Sequence, residues 1–335
     1  MNASRAVLLI NIGSPDSYKT KDVRKYLKQF LVDKRVINIP AFFRYLLVYG
    51  IIAPFRAPKS AAKYKEIWTK NGSPLIDYSN RLKEKLQKLY ANEADVYFAM
   101  RYGNPSLASV LNEIKQKNYS EITVCPVYPQ NASSTTSSSV EEVCRIMKKW
   151  ENIPNIKFVN DFWHQPAYIE ALHNKVASYN PNEYDHVLIS FHGLPLSQVY
   201  AAYNCNSCSV EECTLKPITD NKFCYRAQCY ALSKILADKL DLSIEKYSVG
   251  FQSRLSKNWL SPFSDEILEN LVTQGKKKVM VICPSFISDC LETIHEVAIE
   301  YTQDFKKNGG EKLFLVPALN ADDYWVESFK NILEQ

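Results

Sequence analysis

Four cysteines fall in one short polar run, "YNCNSCSVEECTLKPITDNKFC" (203–224), while Cys125, Cys144, Cys229, Cys283 and Cys290 are scattered. Cys205, Cys208 and Cys213 have the spacing C-x2-C-x4-C, and Cys224 closes the run. Thiolates packed this closely suit a metal centre in a reducing compartment, where disulfides are rare. A second chemical candidate is His192, which ends the apolar stretch "HVLISFHGLP" just before Gly193 and Pro195 break regular structure. A histidine there can simply satisfy a turn, yet it can also exchange a proton near neutral pH. The third is "KVMVICPSFISDCLETIHEVAIEY", a strand ending at Pro284 and then a helix capped by Ser288 or Asp289. Glu292, Glu296 and Glu300 recur every four residues and so fall within about 80° on an α-helix. Such a stripe is often a solvated face. At the carboxyl end of a strand it can instead guide a divalent cation or take up protons.

The elements that must position these groups follow from periodicity. Short apolar runs ("AVLLINI", "DVYFAM", "EITVCPVY", "IKFVND", "HVLISF", "YSVGFQS", "KVMVICP", "LFLVPAL") alternate with segments whose apolar residues recur at three- and four-residue spacing. Continuous apolar strands between helices indicate parallel sheets covered on both faces. The runs divide into two sets with a join near "KKWENIPN". We therefore expect an α/β protein of two similar Rossmann-like, doubly wound domains with an interdomain cleft. The first spans 1–150 and is joined by a C-terminal helix 322–335; the second spans 151–321 and carries a Cys-rich insertion at 203–229. Reactive groups in such folds lie at the carboxyl ends of strands.

Composition excludes several classes of function. The 335 residues carry 41 basic and 36 acidic side chains without a basic arm, which argues against a nucleic-acid partner. Only nine glycines are present, and neither G-x-G-x-x-G nor G-x-x-x-x-G-K-[ST] occurs, so no nucleotide cradle is expected. "MNASRAVLLINIG" reads as a first strand and not a signal peptide, which suggests a cytoplasmic protein. "VINIPAFFRYLLVYGIIAPF", Val36 to Phe55, has nearly spanning length, but Pro40, Arg44 and Gly50 interrupt it. It is either a buried helix or an exposed apolar lip for a greasy ligand or the inner face of a membrane.

Taken in order, the motifs "LLINIGSPDS", "VRKYLKQFLVDKRVI", "IWTKNGSPL", "AMRYGNPS", "PVYPQ", "SFHGLP", "FQSR", "WLSPFSDE" and "FISDCLETIHE" resemble the ferrochelatase family nearly end to end. The resemblance implies insertion of Fe²⁺, a substrate, into protoporphyrin IX held in the cleft, the final step of haem synthesis. Coproporphyrin III as substrate, or a non-catalytic Fe–S or haem-handling protein on this scaffold, are the alternatives. By the same resemblance His192 is the active-site histidine, Glu292 its acidic partner and Glu296 stands behind it, together forming the metal and proton path. Arg101, Tyr102, Tyr128, Ser134 and Trp259 resemble porphyrin-contacting positions, with Arg101 able to pair with a propionate. Val36–Phe55 then reads as a lip for peripheral membrane contact. The C-x2-C-x4-C spacing is similar to that of family members carrying a 2Fe–2S cluster, so Cys205, Cys208, Cys213 and Cys224 are the expected ligands. Cys229 is the alternative to Cys224, and a structural zinc the alternative to the cluster.

Overall fold

The computed structural model describes residues 3–203 and 222–335. Cys205, Cys208 and Cys213 lie outside the described residues. The chain divides into two compact units, one comprising the residues up to Tyr128, Ala132–Asp161 and Asn320–Gln335, the other Pro129–Asn131 and Phe162–Leu319.

In the first unit β1 (Arg5–Asn11), β2 (Asp95–Met100), β3 (Glu121–Pro126) and β4 (Asn155–Phe158) form a sheet in the order β2-β1-β3-β4. Every pairing is parallel, with Leu8 beside Tyr97 on one side and Val124 on the other. The uninterrupted apolar run of β1 has this cause: as a central strand it is buried on both faces from Ala6 to Asn11. Leu8, Ile10, Leu111, Val124 and Val143 belong to one core cluster. The terminal helix Asp323–Glu334 buries Trp325, Phe329 and Ile332, and Glu334 meets Arg5 at 2.7 Å.

The second unit repeats the topology. β5 (His186–His192), β6 (Tyr247–Gln252), β7 (Lys278–Ile282) and β8 (Lys312–Leu315) form a parallel sheet in the order β6-β5-β7-β8. The chain leaves β5 for one neighbour and later returns to pair on its other side. The carboxyl end of β5 is therefore a switch point, where connections diverge and leave a crevice. His192 is the last residue of that strand, level with Gln252 of β6.

Two segments differ from the simple periodic reading. The helix after β7 begins at Leu291 with Cys290 as its cap, because the Asp289 carboxylate is used by Thr293 and by the Ala318 amide. From Leu291 to Tyr301 it is a π-helix, a form associated with functional sites. Within 36–55 an α-helix, Ala41–Leu46, runs into a π-turn, Leu47–Ile52, and then into the helix Ala53–Ile67. Phe42 and Phe55 are 74% and 73% exposed, and Phe43, Leu46 and Ile51 are exposed beside them, so this stretch is an exposed apolar surface and not a buried helix. No helix among the described residues is long and apolar enough to cross a membrane.

Candidate active site around His192

His192 is half-buried, and its Nδ1 lies 2.6 Å from the carbonyl oxygen of Gly193. A carbonyl can only accept, so Nδ1 carries a proton, and in the neutral ring Nε2 is then the nitrogen with the lone pair. The turn that follows is pinned because the Gly193 amide donates to the Gln252 carbonyl at 2.8 Å. A Cβ at Gly193 would stand 2.8 Å from that same oxygen and 3.3 Å from the Trp259 ring, which is why glycine occupies the position. The Trp259 and Phe286 rings flank the imidazole, with centroids 6.4 and 6.2 Å away. The imidazole thus sits in a mostly apolar niche at a strand end.

Glu296 is held on the π-helix beside this turn. Its carboxylate accepts the Ser253 amide at 2.7 Å, the Ser253 hydroxyl, and the Tyr301 hydroxyl at 3.1 Å. Burial raises its pKa; the Ser253 hydroxyl and His192 work in the opposite direction, and Glu292 adds to the rise. Gln252, 1% exposed, ties the parts together. Its amide donates to the Glu292 carbonyl at 3.0 Å and accepts from Ser190 Oγ at 2.8 Å and Cys283 Sγ at 3.4 Å. Glu292 occupies the first turn of the π-helix and is half-buried. Glu300 instead turns toward His295 at 3.4 Å. A crevice of about 480 Å³ is lined by Glu296, Glu300, Asp265, Asp304, Ser253 and Tyr301. Among the described residues no three His, Cys, Asp or Glu side chains are grouped to hold a metal ion, His192, Glu292 and Glu296 included.

In the first unit, Arg101 and Tyr102 follow β2 and are drawn into a buried knot. Arg101 donates to Asp33 Oδ2 at 2.6 Å and to Ser138 Oγ at 2.8 Å, and the Tyr102 hydroxyl donates to Asp33 Oδ2 at 2.8 Å. Burial alone would raise the Asp33 pKa, but donors from Ser138, the Arg35 amide and Tyr102, with the Arg101 charge, hold it below the ordinary carboxylate range. Arg101 therefore already has a carboxylate partner inside the protein. Tyr102 is placed by its backbone, since Gly13, at φ +113°, would bring a Cβ within 1.7 Å of the Tyr102 carbonyl. Tyr128 is largely enclosed just after β3, and burial pushes its phenol pKa up. Ser134 lies in the π-turn Ser133–Ser137, where Arg35 reaches Ser133 Oγ at 3.0 Å.

The ferrochelatase family profile matches residues 4–335 of this chain. The chain belongs to the ferrochelatase family. It is 41% identical over 333 residues to the ferrochelatase of Legionella pneumophila (strain Lens), covering 99% of each chain. It is 42% identical over 332 residues to that of Opitutus terrae, covering 98% of this chain and 96% of the relative. It is 37% identical to that of Coxiella burnetii (strain Dugway 5J108-111), covering 100% and 94%. In fold it is similar to the sirohydrochlorin chelatase SirB from Bacillus subtilis subspecies spizizenii in complex with cobalt, with TM-score 0.55 at 10% identity over 100% of this chain and 94% of that one.

Several groups at this ferrochelatase-family site escape a reading by residue type. Gln252 and Ser253 lie in the quoted "FQSR", yet neither is a usual acid or base. A polar residue inside a continuous apolar strand, Ser190 in β5, is the available signal, because a buried hydroxyl needs a partner. Asp33 is separated from Arg101 by 68 positions, and no local pattern links them. Of the cysteines, Cys224 is buried just before the helix Tyr225–Lys239, and Cys229 is fully buried one turn on, where burial pushes its thiol pKa well up.

Proposed function

We propose that this chain inserts Fe²⁺ into protoporphyrin IX, with His192 Nε2 accepting a pyrrole proton. Metal insertion into a porphyrin is the reaction of the family to which the chain belongs. The carrying observation is the hydrogen bond from His192 Nδ1 to the Gly193 carbonyl, which leaves Nε2 as the lone-pair nitrogen of a histidine at a strand-end switch point. Two N–H protons must leave the macrocycle for each metal inserted. Glu296, with its pKa raised by burial, is suited to receive protons after His192, and Glu292 to guide the cation. Trp259 and, from the first unit, Arg101, Tyr102, Tyr128 and Ser134 are the proposed porphyrin-contacting residues.

Protoporphyrin is favoured over coproporphyrin III because the basic side chains near these positions are already committed: Arg101 to Asp33, and Lys34 and Arg35 to Glu141. A tetracarboxylate would call for unspent cations. Incubation with Fe²⁺ under low oxygen and either porphyrin tests this. Protohaem formation with little turnover of coproporphyrin III supports it, and the reverse preference contradicts it.

We further propose that Cys205, Cys208, Cys213 and Cys224 hold a 2Fe–2S cluster that fastens the polar insertion and takes no part in proton transfer. Cys224 caps the helix Tyr225–Lys239 and closes the cysteine-rich run, which suits its thiol to join the other three. Cys229 is kept as a thiol by full burial. The exposed apolar lip, with Phe42 and Phe55 at its extremes, is proposed to rest on the inner face of a membrane, which would bring a poorly soluble substrate within reach.

A further inference from the structure

The Tyr225 hydroxyl occupies a junction beneath the His192 turn. It donates to the His192 carbonyl at 2.9 Å and lies 3.0 Å from Ser285 Oγ. A phenol has one proton, and the His192 carbonyl takes it, so Ser285 must be the donor in the second contact. Ser285 Oγ in turn accepts the His192 amide at 3.4 Å. Both peptide groups that flank His192 are thus tied to one hydroxyl pair. The 192–193 peptide is held a second time by the Gly193 amide on the Gln252 carbonyl, 2.8 Å, and the ring by Nδ1 on the Gly193 carbonyl of the following peptide, 2.6 Å. A rotation about the Cα–C bond of His192, which the bonds from Tyr225 and to Gln252 oppose, would swing Gly193 and with it the carbonyl that fixes the ring and the direction of Nε2.

We infer that Tyr225 is a positioning residue for the reaction, holding the His192 backbone so that the imidazole keeps its proton on Nδ1 and presents Nε2 to the substrate. The residue is suited to it. Tyr225 is 6% exposed, so its ring is fixed by packing and its hydroxyl is directed at the turn. The start of its helix is anchored by Gln228, whose amide donates to the Lys222 carbonyl at 2.6 Å and accepts the Asn131 amide at 2.9 Å. A hydroxyl on a fixed helix start can set the geometry of a turn that its own chain would leave free.

This inference rests on His192 as the proton acceptor, and the experiment separates the two. Tyr225→Phe keeps the ring and its packing and deletes only the hydroxyl. Expected are a fall in kcat of about tenfold with the porphyrin KM within about twofold. Long-range ¹H–¹⁵N spectra of histidine-labelled protein should show His192 passing from Nδ1–H alone to a mixture of tautomers. Ser285→Ala should act in the same direction, and the double variant should be no worse than the poorer single one, because the two hydroxyls act as a unit. Should Tyr225→Phe melt before assay, Ser285→Ala carries the test. An unchanged kcat with an unchanged His192 spectrum overturns the inference. A fall in kcat with an unaltered tautomer overturns it too, assigning the loss to structure in general. If His192→Ala retains activity, the reading of His192 fails first and the role of Tyr225 falls with it.

Discussion

Deleting the Ser253 hydroxyl should raise the pKa of Glu296 and do so by a predictable amount. Burial and Glu292 raise the pKa of Glu296, while the Ser253 hydroxyl, His192 and the Ser253 amide lower it. Ser253→Ala removes the hydroxyl but keeps the Ser253 amide on Oε1 at 2.7 Å, and the left-handed backbone at φ 64° costs serine and alanine alike. A hydrogen bond to a charged group contributes about 1.5–3 kcal/mol. The neutral carboxyl loses about 0.5–1.5 kcal/mol of this as well, so about 1–1.5 kcal/mol acts on the equilibrium, and at about 1.4 kcal/mol per pKa unit the titration of Glu296 should move up by about one. The sign for stability follows. A carboxyl whose folded pKa is raised stabilises the fold at low pH, and that stability is lost as pH rises through the folded pKa. Ser253→Ala should therefore cost about 1.5–3 kcal/mol at pH 7 and only about 0.5–1.5 kcal/mol near pH 3.5, where the group is neutral in both proteins. Carboxyl carbon NMR of glutamate-labelled protein gives the pKa, and urea unfolding at the two pH values gives the stabilities. An unmoved or lowered Glu296 titration, or an equal loss at both pH values, would refute the electrostatic reasoning.

Asp33→Ala strands the mostly buried Arg101 and should cost about 3 kcal/mol in urea unfolding, a loss that high salt does not mimic. His186, whose pKa burial and the nearby Lys276 and Lys246 push down to about 4, is neutral in the folded chain. Stability should thus be level above the unfolded value of about 6.5 and fall as pH drops below it, by up to about 2 kcal/mol between pH 7 and 5. His186→Gln should flatten that slope. Cys224→Ser should bleach a reddish protein and release its iron and acid-labile sulfide, whereas Cys229→Ser should leave both; tightly bound zinc in colourless protein would exclude the cluster. Replacing Phe42 and Phe55 by serine should sharply reduce sedimentation with anionic vesicles without lowering turnover of a soluble porphyrin.

What could be read from the sequence is what depends on local pattern. The apolar runs of β1 and β5 declare buried central strands, and His192 stands out because a polar ring ends one of them. The likeness of the two sheets is legible in the alternation of runs. What escaped depends on contacts between distant positions. Arg101 suggests an anion site by its type, but its partner Asp33 is brought in by tertiary packing. Gln252 gains its importance from being level with His192 across the sheet and beneath Glu292, relations that the fold alone creates. The π-helix is invisible because Glu292, Glu296 and Glu300 at four-residue spacing also suit an α-helix, whereas the i→i+5 bonding is a matter of backbone geometry.

The central claim is that His192 takes the proton that must leave before the metal can enter. The most direct measurement is metal insertion into a soluble porphyrin by His192→Ala, followed under low oxygen, with circular dichroism and porphyrin fluorescence titration confirming that fold and binding persist. The account predicts a loss of at least about a hundredfold in turnover with porphyrin affinity nearly unchanged. Turnover within about threefold of the parent would contradict it.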